Sequence, residues 1–218
     1  MKRAILLPLL LSLALGACSS DEIAALSPDL LQIAQCTGTS LEELDNIFSE
    51  VVGLLGAIGG TLPANVTYDD VTGVYTINSI AGPITGVVSS VDDISDGVDE
   101  NESATATWDL NGGLAGSGGV IGTGSFTVNR PDANTVAVTG SGGLANGDCT
   151  FDITSFSLSI DLDAEGGPAG TLDFDATADG ETLDGTMSFD GSDIANVTGN
   201  FNGGLVGFLI DLNSFLPF

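Results

Sequence analysis

From Val66 to the end, the chain is built of short segments rich in Thr, Val, Ile and Phe, punctuated by Gly and by Asp-Gly or Asn-Gly pairs. Apolar residues at every second position give a strand one dry face and one wet face, and the Gly pairs suit tight hairpins. This texture predicts strands at Gly73–Ile80, Gly86–Val91, Thr105–Leu110, Gly119–Asn129 and Thr135–Gly140. It predicts others at Cys149–Leu162, Thr171–Ala176, Thr186–Asp190, Ile194–Phe201 and Leu205–Leu212. Connections this short make neighbouring strands antiparallel. In the strand from Cys149, Phe151 and Ile153 alternate, and then Phe156, Leu158, Ile160 and Leu162 resume one residue out of phase. That slip predicts a bulge near Thr154 and Ser155.

The preceding segment has helical spacing. Ser27 and Pro28 open a short helix over Asp29 to Cys36, with Pro at the first helical position. Ser40 and Glu43 have capping-box spacing for a second helix. There Leu41, Leu44, Ile47, Phe48, Val51, Leu55 and Ile58 recur on one side before Gly59 and Gly60 end the run. Its second half is apolar nearly all round, which predicts burial on more than one side. The expected fold class is therefore α+β and mainly β. N-terminal helices over residues 28–60 pack on or inside a curved, barrel-like antiparallel meander of about ten strands over residues 61–218, the two forming one globular unit.

An offset of 30 residues aligns Thr105–Arg130 with Thr135–Ile160, matching Gly112 to Gly142, Gly113 to Gly143, Leu114 to Leu144 and Phe126 to Phe156 among others. A duplicated strand pair and a shared Gly-rich composition both account for it, and either supports a meander.

The N-terminus has its own logic. A basic start, Met1 to Arg3, precedes an apolar run from Ala4 to Leu15, too short to span a bilayer. This is the layout of a secretory signal peptide. Leu15, Gly16, Ala17 and Cys18 resemble the lipobox of bacterial lipoproteins. The resemblance implies a signal peptide over residues 1–17, cleavage after Ala17, lipidation of Cys18 and a tether over residues 18–27. It implies a location in the cell envelope, attached to the membrane through the lipid. Ser19 in place of Asp implies transfer to the outer membrane in a Gram-negative host.

Loss of Lys2 and Arg3 with that peptide leaves Arg130 as the one basic side chain against 30 acids. Nucleic acid is excluded as a partner, because phosphate backbones require a basic surface. Direct docking on anionic lipid headgroups is opposed by the same charge, so the membrane contact is assigned to the lipid anchor. The chain has no His, which removes Ser-His-Asp catalysis and Cys/His zinc sites. Paired carboxylates would serve glycoside hydrolysis, but Trp108, Tyr68 and Tyr75 are the whole supply of Trp and Tyr for sugar stacking. The expectation is a protein that is not an enzyme and has no obligatory cofactor.

Cys36 and Cys149 remain, and in an oxidising compartment such a pair predicts a disulfide. Asp92, Asp93, Asp96, Asp99, Glu100 and Glu102 crowd one loop with oxygen ligands suited to calcium, or form a solvated charge run. A second acidic stretch, Asp161, Asp163 and Glu165, opens like a calcium loop but has Leu172 where the twelfth-position carboxylate belongs. At the C-terminus Phe208, Ile210, Leu212, Leu216 and Phe218 alternate in a pattern that resembles the last strand of outer-membrane barrels, against the plainer expectation of an edge segment packed on the core. The functional expectation is a structural or interaction module at the membrane surface. Its alternatives are a carrier of lipid or another apolar ligand in a cavity under the helix, and a calcium-dependent binding or adhesion module. The partner, protein or apolar ligand, is not specified by the sequence.

Overall fold

The computed structural model describes residues 26–55, 64–69, 71–78, 83–89, 103–109, 121–161, 163 and 166–217. Among them one helix, α1 (Pro28–Leu55), precedes twelve strands. Ser27 caps the helix, its Oγ accepting the Leu30 N–H at 3.2 Å, and Pro28 holds the first position, where its missing N–H costs nothing. The two helices expected from the sequence are one. Ser40 and Glu43 do not begin a second helix but lie inside α1. The intervening hydroxyls do not break the helix, because Thr37 Oγ1 donates back to the Ile33 carbonyl at 2.9 Å. Leu30, Ile33, Ala34, Leu41, Leu44 and Ile47 make the buried side, while Gln32, Gln35, Glu42 and Asp45 face water.

The strands are β1 (Val66–Asp69), β2 (Val74–Asn78), β3 (Pro83–Ser89), β4 (Ser103–Asp109), β5 (Ile121–Asp132), β6 (Thr135–Asn146), β7 (Cys149–Asp161), β8 (Ala169–Ala178), β9 (Glu181–Asp190), β10 (Ile194–Phe201), β11 (Gly204–Asp211) and β12 (Leu216–Pro217). They follow one another across a single sheet in sequence order, each antiparallel to the next. The sheet is mainly what the alternation predicts, with β1 and β12 added at its ends. β12 is too short to show a period, and β1 alternates over only four residues.

The barrel-like closure does not form: the order runs open from β1 to β12. Closure needs two long edges in register, and here the ends are four residues and two residues long, the latter containing Pro217. The last strand is thus an edge segment. The bulge falls where the phase slips. Pairing to β8 jumps from Ile153↔Phe174 to Ser155↔Asp173, leaving Thr154 over, and Thr154 Oγ1 donates to the Asp173 carbonyl at 3.0 Å. That one extra residue puts both Ile153 and Phe156 into the core.

Strand glycines seat large neighbours. Trp108 on β4 lies over Gly124 on β5 and Gly142 on β6, where an added Cβ would come within 2.1 and 2.5 Å of the indole ring. Tyr75 stands beside Gly86 in register, and its hydroxyl donates to the Thr105 carbonyl on β4 at 2.9 Å. Burial raises the Tyr75 phenol pKa well above its ordinary value. The 30-residue repeat coincides with the pairs β4–β5 and β6–β7, and its matched aromatics converge on the helix. Phe48 of α1 contacts Phe126 edge-on at 4.8 Å between ring centres and Phe156 at 5.3 Å.

Candidate functional site

The sequence-predicted residues separate. Cys18 and the six acids Asp92, Asp93, Asp96, Asp99, Glu100 and Glu102 lie outside the described residues. Cys36 and Cys149 are joined in a disulfide with 5.6 Å between α-carbons, fastening α1 to the first residue of β7. Ser40 points its hydroxyl at Cys149 Sγ, 3.9 Å away. With no proton on a disulfide sulfur, the hydroxyl is the donor. A cleft of about 230 Å³ opens beside this bond between Gln32, Gln35 and Thr39 of α1 and the hairpin turns carrying Asp148 and Asp179. Gln32 Nε2 donates to Asp179 Oδ2 across it.

Of the second acidic stretch, Glu165 lies outside the described residues. Asp161 ends β7 and its carboxylate accepts the Asp163 N–H at 2.9 Å, so it is engaged by its own backbone. Among the described residues no group of three or more His, Cys, Asp or Glu side chains is placed to hold a metal ion.

Among the described residues three surfaces could meet a partner. The wet face of β7–β10 is a lattice of Thr, Ser, Asp and Asn, on which Asp152, Asp175, Asp184 and Asn200 stand opposite one another in register on successive strands. Carboxylates paired directly across strands repel, so this row does not serve stability. One register position along, Asp173 is fully engaged, accepting Ser155 Oγ at 3.2 Å and Thr186 Oγ1 at 2.7 Å. The disulfide cleft is the second surface. The third is the free side of β11, where Leu205 is 92% exposed. Sequence reading missed the carboxylate row, although period-two alternation puts Asp173 and Asp175 on one face; which Asp stands beside which depends on register, and register shows only once strands are paired.

Electrostatics are local. Asp69 and Asp132 sit at turns with carboxyl pKa values held below the ordinary range, chiefly by the backbone N–H groups of Val71 and Asn134, each donating at 2.9 Å. Asp45 on α1 is shifted upward by partial desolvation and then by the neighbouring Glu42 charge.

No protein-family model, no characterised protein and no solved structure matches this chain.

Proposed function

We propose that the chain is an envelope lipoprotein, anchored through Cys18, whose acidic β domain acts as a non-catalytic interaction module at the membrane surface. The observation that carries this reading is the place of α1. Ile33, Ala34, Leu44 and Ile47 are at most 2% exposed, and α1 packs against β7, β8, β9 and β12. A helix seated this way occupies the apolar side of that part of the sheet, which leaves the polar face and the strand edges as working surface. The lipobox residues Leu15 to Cys18 support the anchor.

Two measurements test it. Cys18→Ser should release the protein from the membrane fraction, and persistent membrane association of that variant would overturn the anchor. Native mass spectrometry of detergent-extracted protein should show the mass of the lipidated chain and nothing more. A bound lipid or other apolar ligand beyond that mass would replace the interaction module with the carrier.

A further inference from the structure

The β10–β11 hairpin turns on Asn202 and Gly203, with φ of +51° and +83°, and pairs Phe201 with Gly204. In a two-residue hairpin the pair flanking the turn exchanges its peptide hydrogen bonds, so Gly204, Val206 and Phe208 direct their N–H and C=O groups toward β10. The alternate residues Leu205 and Gly207 direct theirs away from the sheet. No strand pairs with them there among the described residues, since β12 covers Ile210 and Asp211 alone.

Natural sheets blunt such an edge with Lys, Pro, a bulge or a cover. From Gly204 to Leu209 this edge shows none of these among the described residues: eight consecutive pairs join β10 to β11 without a register shift, and residues 204–209 include neither Lys nor Pro. It also differs electrostatically from the rest of the chain. Ile194 to Ile210 contains no charged residue, although the chain holds 30 acids, and Asp193 and Asp211, which end the run in sequence, lie together at the end of the hairpin away from the turn.

We propose that the free side of β11 is a strand-addition site for an extended segment of another protein, with an uncharged, alternating apolar centre flanked by Lys or Arg. The centre would pair with the peptide groups of Leu205 and Gly207 and cover the Leu205 side chain. Asp193 and Asp211 stand together at the end of the hairpin away from the turn, so the cations of one flank would meet them and those of the other would meet the negative field of the whole domain. Charge also selects the occupant. Lys2, Arg3 and Arg130 are all the basic residues this chain has, so a second copy brings a like-charged domain and no cationic flanks. The proposal rests on the domain being an interaction module, and its test is independent of the anchor.

The probe is a blocked, fluorescent nine-residue peptide, three Val alternating with two Thr between pairs of Lys, added to the full chain in non-ionic detergent at low salt. Anisotropy should rise on binding, and amide exchange at Leu205 and Gly207 should slow in the complex. Gly207→Pro removes the outward N–H and should weaken binding at least tenfold. Leu205→Lys alters a side chain already in water, leaves the hairpin intact and should weaken binding as well by opposing the cationic probe. A peptide of the same charge with Pro in place of both Thr should bind at least tenfold more weakly. Absence of binding, equal binding of the Pro-containing peptide, or unchanged binding by both variants would overturn the proposal. So would a concentration-dependent dimer of the chain alone that Gly207→Pro abolishes, because that would make a second copy the occupant.

Discussion

Gly38 of α1 and Phe215 of the β11–β12 turn meet so closely that a methyl group on Gly38 would lie 2.1 Å from the Phe215 carbonyl oxygen. The turn has little room to retreat, since Phe215 holds φ at +53° and its N–H donates to the Asp211 carbonyl at 2.6 Å. Gly38→Ala gains about 1 kcal/mol of helix propensity and loses about 1–3 kcal/mol to overpacking. The expected result is a net loss, seen as a lower urea midpoint. A higher midpoint would show that the turn yields.

The Cys36–Cys149 bond closes a loop of 113 residues in sequence separation. In the chain-entropy model that is worth up to about 5 kcal/mol, and commonly less. The double substitution to Ala should lower stability by about 2–5 kcal/mol, measured by urea unfolding under non-reducing conditions. Ellman titration of the denatured, unreduced wild type should find no free thiol at either cysteine.

Trp108 is the one tryptophan and is fully buried, so its fluorescence reports a single place in the fold. Gly124→Ala and Gly142→Ala each drive a methyl group into its ring and should cost about 1–3 kcal/mol while shifting its emission. Gly204→Ala is the control. Its Cβ would meet nothing nearer than the Phe201 carbonyl at 3.6 Å, and the emission should stay as in wild type.

Asp69 and Asp132 give stability a defined acid limb. Their carboxyl groups are depressed below 3.8 in the folded state, so below that value the unfolded chain binds more protons. Their contribution is complete above the ordinary carboxylate range and is lost as pH falls through the folded values. A double Asp69→Asn, Asp132→Asn variant should be less stable than wild type at pH 6, and the difference should shrink steadily as the pH is lowered below 4. A difference independent of pH would remove the two carboxylates from the account.

The meander was legible because alternation is a local signal: the predicted cores of the strands from Cys149, Thr171, Thr186 and Ile194 lie inside β7 to β10, and the bulge at Thr154 announced itself as a lost beat. Glycine was where reading failed. Gly140 closes the predicted strand from Thr135, yet β6 continues through Gly142 and Gly143 to Asn146. A strand glycine and a turn glycine are the same letter, and only the Trp108 ring, two strands away from Gly142, tells them apart. The capping box misled for a related reason. Ser40 and Glu43 have the right spacing, but Ser40 is buried beside Cys149, a neighbour 109 residues distant in sequence. The disulfide followed from scarcity, two cysteines left after the lipobox, whereas the outer row of Asp152, Asp175 and Asp184 required the register itself.

The Cys36–Cys149 bond also divides the molecule topologically. It turns the chain into a covalent ring that carries β1 to β6, with β7 to β12 continuing beyond the junction. A protease that cuts anywhere between the two cysteines opens the ring but frees no fragment. Whatever is attached before α1 keeps an unbroken covalent route to the last six strands that bypasses everything inside the ring, so a singly nicked copy remains one particle, with residues ahead of α1 and the strands from β7 to β12 still covalently joined.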